Sequence, residues 1–504
     1  MIRKKYRILT NHKYERLIPK KSIHIELDNS IPSETSFVKN SFTFLNLSKE
    51  FRDKIDWSFL EYGKLWNYNL NYFDFLNQQN IGLKDALWLI NDFIDQLDNN
   101  KYGMDSYPTS LRTVNWTKFL NKNRIKDKNI TSSLYTQIYI LSDNLEYNLL
   151  GNHLLENAFS LLYGSYYFDD YNLYNKAKRI LVSELKEQIL DDGGHYELSP
   201  MYHQIILFRF LDCLNLVKNN NKYDNEILGL LVEKVEKMLL WINAITFNNG
   251  NIPLFNDSAY GIAPTTRQLF DYAEKLGVRM NGSYKCNMLH VSGYKKIVKS
   301  NYEIIIDVGK IGPDYITAHS HSDTFNFELY IDDKPFIVDT GTSTYEPGAL
   351  RLYERSTSAH NTVKIENYDQ SEIWSSFRVG RRAYVKDVKM SENEITAAHD
   401  GYKRMGAIHR RSMRFSKKNV EIIDEIDSQK MYYCYSYLHF YPGIQLKKDG
   451  NVVYGNNKKI IIHNATSINI EKYHYAPEFN KLLEGQMLKI VFNKSLRVKI
   501  IGQV

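Results

Sequence analysis

The sequence is poor in three features that would define a protein class at once. Its 504 residues include only three cysteines, Cys213, Cys286 and Cys434, which are odd in number and far apart. They predict neither a disulfide framework nor a zinc ribbon, and we interpret them as three inert thiols. No run of about 18 apolar residues occurs, so no membrane span is expected.

The beginning of the chain also lacks an apolar segment. Residues 1–7 are basic, but the polar residues 11–16 stand where the apolar core of a secretory signal would be needed. We therefore expect no secretory signal, and a cytoplasmic location is the most consistent with this pattern. The oligomeric state is left open by the sequence.

The composition, net charge and aromatic content indicate which protein classes are compatible with the sequence. Hydrophobic residues make up 43% and charged residues 24%, as in globular proteins, and the length predicts two or more domains. The net charge of +7 can attract a polyanion, although such an excess usually serves solubility, and no nucleic-acid-binding signature is present. The 38 tyrosines and 24 phenylalanines suit sugar rings as well as protein cores.

Hydrophobic periodicity divides the chain into a helical part and a β part. Between about 83 and 275 the period is helical, as in residues 171–190 and 224–242, and about eight to ten helices are expected in an array or toroid. After about 300, short β-rich runs without intervening helices predict an antiparallel sandwich. The predicted domains are an N-terminal extension (1–60), a toroid (61–285) and a β-sandwich (286–504).

A pair of histidines, His319 and His321, precedes a run in which apolar residues alternate with polar ones. The alternation predicts a strand over residues 325–331, and a strand would place both imidazoles on one face. They can bind metal, transfer protons, divide these tasks, or form ordinary surface hydrogen bonds. Asp339 and His360 lie at the edges of later β-rich runs, and two imidazoles with a carboxylate can bind zinc, although this spacing is weak evidence by itself.

The helical part carries three polar stretches that a core does not need. Asn152, His153 and Glu156 lie within one helical turn, where the alternative is a capped helix with a supporting Glu–His pair. After a Gly-Gly loop, Tyr202 and His203 fall in the first turns of the next helix, where the alternative is a buried tyrosine. A third polar stretch, residues 253–258, receives no assigned role.

Five separated motifs, taken together, resemble the heparinase II/III-like polysaccharide lyases. They are Asn152-His153 with Glu156, residues 193–203, residues 319–323, residues 339–342 and residues 356–362. The resemblance implies an incomplete α/α toroid followed by an antiparallel β-sandwich, which agrees with the change of period. It also implies β-elimination at a uronic acid of an anionic polysaccharide.

The resemblance further implies a division of catalytic tasks. Asn152, with His153 or Glu156, would neutralise the uronate carboxylate, Tyr202 would protonate the leaving oxygen, and His319 would act as the base. A structural zinc ion would be held by His321, Asp339 and His360 and would fix the loop of His319. Lower-ranking substrate-binding positions are Tyr68, Arg112, Asn115, Trp116, Glu156, His203, Tyr353 and Arg355, with Tyr345 as an alternative second catalytic tyrosine.

Two other classes compete with a lyase. A non-catalytic glycan-binding or surface-polysaccharide assembly protein would bind glycans without forming an unsaturated product, and a metal-dependent hydrolase would add water. The sequence departs from the resembled family at Ser320 and Ser322, where relatives often carry other small residues. It also departs in showing no apparent secretory signal. A lyase without a signal could act on a self-made exopolysaccharide, and heparan sulfate, alginate and hyaluronan stay equally open.

Overall fold

The computed structural model describes residues 15–100, 102–278 and 291–502. Cys286, the basic start of the chain and the predicted boundary at 285/286 lie outside these residues. The chain divides into two compact units, Met1–Leu185 with Leu211–Leu231, and Lys186–Phe210 with Val232–Val504. The predicted domain limits stay predictions, and each unit is described by itself below.

Ten α-helices lie in the described part of the chain, and eight of them fall between residues 83 and 275, as predicted. The predicted helices at 171–190 and 224–242 correspond to α6 and α8. None of the described helices is both long and apolar enough to cross a bilayer. The helices are α1 (Gly63–Tyr72), α2 (Leu83–Gln96), α3 (Ser106–Lys122), α4 (Lys128–Ser142), α5 (Gly151–Phe168), α6 (Tyr171–Gln188), α7 (Pro200–Asn220), α8 (Glu226–Ile245), α9 (Thr266–Lys275) and α10 (Ala349–Glu354).

The strands form antiparallel sheets, most of them in the second unit. A small sheet that the sequence analysis did not predict precedes the helices and consists of β1 (Phe37–Val38), β2 (Ser41–Phe44) and β3 (Leu47–Glu50). A four-stranded sheet has the order β4 (Tyr294–Val298), β5 (Tyr302–Asp307), β6 (Phe327–Ile331), β7 (Lys334–Ile337). A hairpin pairs β9 (Ile373–Trp374) with β10 (Arg378–Val379).

Two further sheets, of eight and four strands, lie in the second unit. The eight-stranded sheet has the order β11 (Val385–Met390), β12 (Glu394–His399), β13 (Ala407–Phe415), β14 (Asn419–Ser428), β21 (Ser495–Ile501), β18 (Lys458–His463), β17 (Val452–Gly455), β16 (Leu446–Asp449). The other has the order β19 (Ser467–Glu478), β20 (Lys481–Phe492), β15 (Cys434–His439), β8 (Val363–Ile365). Helices followed by antiparallel sheets confirm the predicted fold class.

Burial along the strands follows the hydrophobic pattern of the sequence. Along β13, residues alternate between buried and less buried positions, and the buried set includes Ala407, Met413 and Phe415. These side chains belong to one apolar core that the sheets share. Period-two alternation therefore decides which face of this sheet is buried.

The predicted strand at 325–331 is wrong at its beginning. β6 starts at Phe327, and Phe325 has a positive φ of 71°, which interrupts an extended backbone. His319 and His321 therefore lie in the loop before the strand and not on a strand face. All five residues of β6 are buried, because the strand lies between β5 and β7 and is covered on both faces.

We expect Gly341→Ala to destabilise the second unit by about 2–4 kcal/mol. Gly341 has φ +77°, and a Cβ at this position would lie 2.1 Å from the backbone oxygen of Ala476. A matched control is Gly443→Ala, because Gly443 has φ +92° with no atom near its added Cβ. The control should be destabilised only by the conformational cost of alanine at positive φ, which is about 1–2 kcal/mol. Equal urea midpoints for the two variants would contradict this prediction.

Candidate active site

The centre of the candidate site is a carboxylate, Asp257, that contacts two histidines and an arginine. His319 Nδ1 lies 3.0 Å from Asp257 Oδ2, and His321 Nε2 lies 2.8 Å from Asp257 Oδ1. Arg351 donates to both oxygens, at 2.5 and 2.7 Å. Asp257, His321 and Arg351 are fully buried and His319 is 8% exposed, so these charges interact with little screening by water.

Arginine and imidazole together keep Asp257 ionised. Burial alone would raise the pKa of the carboxyl group, but the charge of Arg351 and the bonds from His319 and His321 lower this pKa well below its usual range. Arg351 also donates to the carbonyl oxygen of Ser376, so its guanidinium is held in place. The site therefore contains a permanent hydrogen-bond acceptor for both imidazoles.

Tyr202 and His319 face each other in this site. Their ring centroids are 3.9 Å apart, and the Tyr202 hydroxyl lies 3.3 Å from the hydroxyl of Tyr345. His319 Nε2 lies 3.9 Å from Glu197 Oε2. Burial, followed by the neighbouring tyrosine, raises the pKa of the Tyr202 phenol well above its usual value, so this phenol keeps its proton. A proton donor and an imidazole thus stand side by side.

The three predicted zinc ligands lie near one another in the second unit. Asp339 Oδ2 accepts a hydrogen bond of 2.7 Å from His360 Nδ1, and the ring centroids of His321 and His360 are 5.3 Å apart. All three side chains are fully buried. His321 Nδ1 and His360 Nε2 have no hydrogen-bond partner among the described residues. Two buried imidazole nitrogens therefore lack a partner.

Those two nitrogens fit zinc chemically, because a neutral imidazole nitrogen is a preferred zinc ligand. Asp339 would then orient His360 from behind, as carboxylates commonly do for metal-binding histidines. The described residues nevertheless contain no group of three or more His, Cys, Asp or Glu side chains placed to hold a metal ion. In this conformation the carboxylate of Asp339 also accepts from Asn326 and from the amide of Gly341. Zinc stays a prediction.

The predicted carboxylate-binding residues lie on α5 in the first unit. Asn152 and Glu156 are buried, with 3% and 1% exposure. His153 is partly exposed, contacts the ring of Tyr107 at a centroid distance of 4.3 Å, and lies 3.2 Å from Glu146 Oε1 through its Nδ1. The structure thus keeps His153 accessible on this helix, while the roles of all three stay predictions.

Three predicted substrate-binding residues lie inside the first unit. Arg112, Asn115 and Trp116 are at most 3% exposed. Arg112 donates to the side chain of Gln137, Asn115 donates to the carbonyl oxygen of Tyr72, and the indole of Trp116 packs among aromatic rings. In this conformation these side chains are engaged in supporting the helices. Their substrate-binding roles stay predictions.

Two further predicted substrate-binding residues are engaged inside the second unit. The amide of His195 donates to His203 Nδ1, and His203 Nε2 donates to the carbonyl oxygen of Met238. Arg355 is fully buried and donates to the carbonyl oxygen of Ser320, between the two site histidines. Both side chains therefore hold neighbouring backbone of the site in this conformation, and their substrate-binding roles stay predictions.

Two predicted subsite tyrosines are partly exposed. In the first unit, the hydroxyl of Tyr68 donates to Asp105 Oδ2 at 2.8 Å. In the second unit, burial raises the pKa of Tyr353 to about 12. Of the two candidates for a second catalytic tyrosine, Tyr345 has its hydroxyl next to that of Tyr202. The structure thus favours Tyr345 over Tyr353 for that position.

Buried histidines near the site make its stability depend on pH. Burial lowers the pKa of His203 to about 3 and that of His195 to about 4. An unfolded imidazole binds a proton below about pH 6.5, so the unfolded state gains protons first on acidification. The free energy of unfolding should therefore be fully present above about pH 6.5 and fall towards pH 4.

Urea unfolding at a series of pH values measures this dependence. His203→Gln should flatten the slope between about pH 6.5 and 4, because the variant removes one group that takes up a proton on unfolding. His24→Gln is the control, since the His24 side chain is 44% exposed. An unchanged slope in the His203 variant would contradict the assignment of His203 as a buried neutral imidazole.

Asp257 is the residue that the sequence analysis missed. It stands in the polar stretch 253–258, which was noticed but received no role. Its partners His319, His321 and Arg351 are 62, 64 and 94 residues away along the chain. The only signal in the sequence is an Asn-Asp-Ser loop after a long helix, and such loops are common in proteins of any function.

Comparison with known proteins identifies the family. Residues 107–276 match the family described as Heparinase II/III N-terminus, and residues 282–497 match Heparinase II/III-like, C-terminal. A heparin-sulfate lyase of Bacteroides stercoris is 25% identical over 311 residues, covering 56% of this chain and 45% of that protein. One of Pedobacter heparinus is 25% identical over 374 residues, covering 66% and 54%. The chain spans about half the length of these curated relatives.

A solved structure supports the same fold. A crystal structure of heparinase III matches with a TM-score of 0.70 at 18% identity, over 90% of this chain and 80% of that chain. This match confirms the predicted toroid and β-sandwich as a fold, and the two family matches together cover most of the sequence. The chain therefore belongs to the heparinase II/III-like family.

Proposed function

We propose that this protein is a polysaccharide lyase that cleaves a uronate-containing anionic polysaccharide by β-elimination. The observation that carries the proposal is the contact between the rings of Tyr202 and His319, with centroids 3.9 Å apart. A protonated phenol beside an imidazole supplies an acid and a base at one place. Membership in a family whose matched curated relatives are named heparin-sulfate lyases supports the same activity.

In this proposal the elimination proceeds through two proton transfers. The imidazole of His319 removes the proton from C5 of the uronate, and that electron pair forms the C4–C5 double bond as the C4–O bond breaks. The phenol of Tyr202 gives its proton to the departing glycosidic oxygen. No water is consumed, and the new chain end is an unsaturated uronate.

The base in this scheme is Nε2 of His319. Its Nδ1 hydrogen is donated to Asp257, which leaves the lone pair on Nε2 free to accept a proton. The high pKa of Tyr202 keeps the phenol protonated until negative charge develops on the leaving oxygen. The proposal thus uses Nε2 of His319 as the proton acceptor and the phenol of Tyr202 as the proton donor.

Two further roles stay assigned by resemblance. Asn152, with His153 or Glu156, would neutralise the uronate carboxylate and so make the C5 proton more acidic. His321, Asp339 and His360 would hold a zinc ion, which would fix the loop that carries His319. The chain's own residues perform every proton transfer proposed above.

Incubation of the purified protein with separate uronate polysaccharides tests this function. The panel contains heparan sulfate, chondroitin sulfate, hyaluronan and alginate, and ultraviolet absorbance follows the C4–C5 double bond. The expected result is an absorbance increase with at least one polymer. The absence of any new double bond, with glycan binding retained, would favour the non-catalytic glycan-binding alternative.

Mass spectrometry of the products separates elimination from hydrolysis. Elimination gives a new non-reducing end that is lighter by one water than the product of hydrolysis. Products that carry the added water would refute the lyase and support the metal-dependent hydrolase. The same spectra identify the sugar on each side of the cleaved bond and so define the substrate class.

A further inference from the structure

One carboxylate contacts the two site histidines through opposite ring nitrogens. Asp257 Oδ2 meets Nδ1 of His319, whereas Asp257 Oδ1 meets Nε2 of His321. An ionised carboxylate only accepts hydrogen bonds, so each of these nitrogens must carry the proton. The proton-free nitrogens are then Nε2 of His319 and Nδ1 of His321, the latter being buried with no described partner.

We propose that Asp257 is a positioning residue that fixes opposite tautomers on these two histidines. The inference rests on the proposed function, because it explains how Nε2 of His319 is kept free to act as a base. One side chain thereby sets the proton-accepting atom of His319 and the open nitrogen of His321. Asp257 touches neither the substrate nor the proton in transfer, and it acts through the two imidazoles.

The backbone of Asp257 links the base to the acid. Its amide donates to the carbonyl oxygen of His319 at 3.0 Å, and its own carbonyl oxygen accepts from the Ser199 hydroxyl at 2.7 Å. Ser199 precedes α7, and its Oγ accepts from the amide of Tyr202 at 3.2 Å. The loop of Asp257 thus holds the beginning of the Tyr202 helix and the His319 loop together.

Arg351 makes Asp257 suitable for this role. Its two terminal nitrogens bind the two carboxylate oxygens separately, at 2.5 and 2.7 Å, so the carboxylate cannot rotate freely between its imidazole partners. The amide of His321 also donates to Asn256 Oδ1 at 2.9 Å, which fixes the second imidazole from its backbone. The orientation of both rings is therefore set before any ligand binds.

Nitrogen-15 NMR of the intact protein labelled at histidine tests the tautomers directly. At about pH 8, where a free imidazole is neutral, His319 should carry its proton on Nδ1 and His321 on Nε2. Single His→Gln variants assign the two signals. A proton on Nε2 of His319, or on Nδ1 of His321, overturns the proposal. This measurement needs no turnover, so it remains decisive even if the lyase assay fails.

The substitution Asp257→Asn tests the consequence for catalysis. An amide offers one acceptor and one donor, so it cannot accept from both imidazoles in their original tautomers. We expect kcat to fall by about 100-fold or more with KM changed less than about 3-fold, because the variant leaves the substrate-facing groups in place. The NMR signals of at least one of the two histidines should shift to the other tautomer.

Asp424→Asn is the matched control. Asp424 is also buried, accepts from the imidazole of His409 at 2.8 Å, and accepts from Nε and Nη2 of Arg411. This variant should lose comparable stability while kcat stays within about 3-fold of wild type. An equal loss of kcat in both variants, or an unchanged kcat in Asp257→Asn, overturns the positioning role. If Asp257→Asn does not fold, the wild-type tautomers alone decide.

Discussion

Tyr202→Phe is expected to abolish formation of the unsaturated product, with a loss of kcat of about 1,000-fold or more. The phenol of Tyr202 is a protonated group that lies against the ring of His319, at a ring centroid distance of 3.9 Å. Phenylalanine keeps the ring contact and removes only the proton donor. Ultraviolet absorbance of the C4–C5 double bond measures kcat. Mass spectrometry checks the identity of the product.

Two tyrosine variants serve as comparisons for this result. Tyr402→Phe removes another buried hydroxyl, which donates to the carbonyl oxygen of Val363, and should keep full turnover. Tyr345→Phe removes the hydroxyl that lies 3.3 Å from that of Tyr202, and should lower kcat by about 10-fold through a weaker hydrogen bond. Full activity in Tyr202→Phe with an inactive Tyr345→Phe would transfer the acid role to Tyr345.

The second large effect is a difference between the two site histidines. His319→Gln should lose kcat by about 1,000-fold while the zinc content of the purified protein stays unchanged. His321→Gln should lose zinc first, because the buried Nδ1 of His321 is one of the two nitrogens that fit the metal. Metal content is measured by mass spectrometry of the protein as purified and after dialysis against chelator.

His409→Gln is the control for this pair of variants. His409 is buried, and its imidazole lies between His399 and Asp424 in the eight-stranded sheet. This control should keep both turnover and zinc. Full zinc occupancy in both site variants would refute the division of tasks between His319 and His321. A wild-type protein without zinc would refute the metal site while leaving the acid and base assignments standing.

The helices and some of the strands could be predicted because their signal is local. Apolar residues at three-and-four spacing place α6 and α8 within three residues of their observed limits, and short β-rich runs correspond to β5, β14 and β21. The small sheet β1–β3 was not predicted, since its strands have only two to four residues. Strands this short contain too few residues for prediction from a hydrophobic pattern.

The prediction from local hydrophobic alternation was wrong where an irregular backbone precedes a regular strand. The aromatic alternation of Phe325 and Phe327 reads as one strand, but Phe325 has positive φ and the strand begins two residues later. That irregularity places His319 and His321 in a loop, from which both can reach Asp257. A strand would have fixed their separation by its period and given them no common acceptor.

By itself, the sequence determined the helical and β parts and the separated motifs that resemble one family, and through that resemblance it predicts Tyr202 and His319 as a reacting pair. Only the tertiary structure decided that Asp257 joins His319 to His321, that Tyr345 rather than Tyr353 lies against Tyr202, and that Arg112 and Trp116 are buried. Helical and strand periods depend on neighbours within a few residues. The contacts of Asp257 join positions more than sixty residues apart, and folding of the whole unit is needed to bring them together.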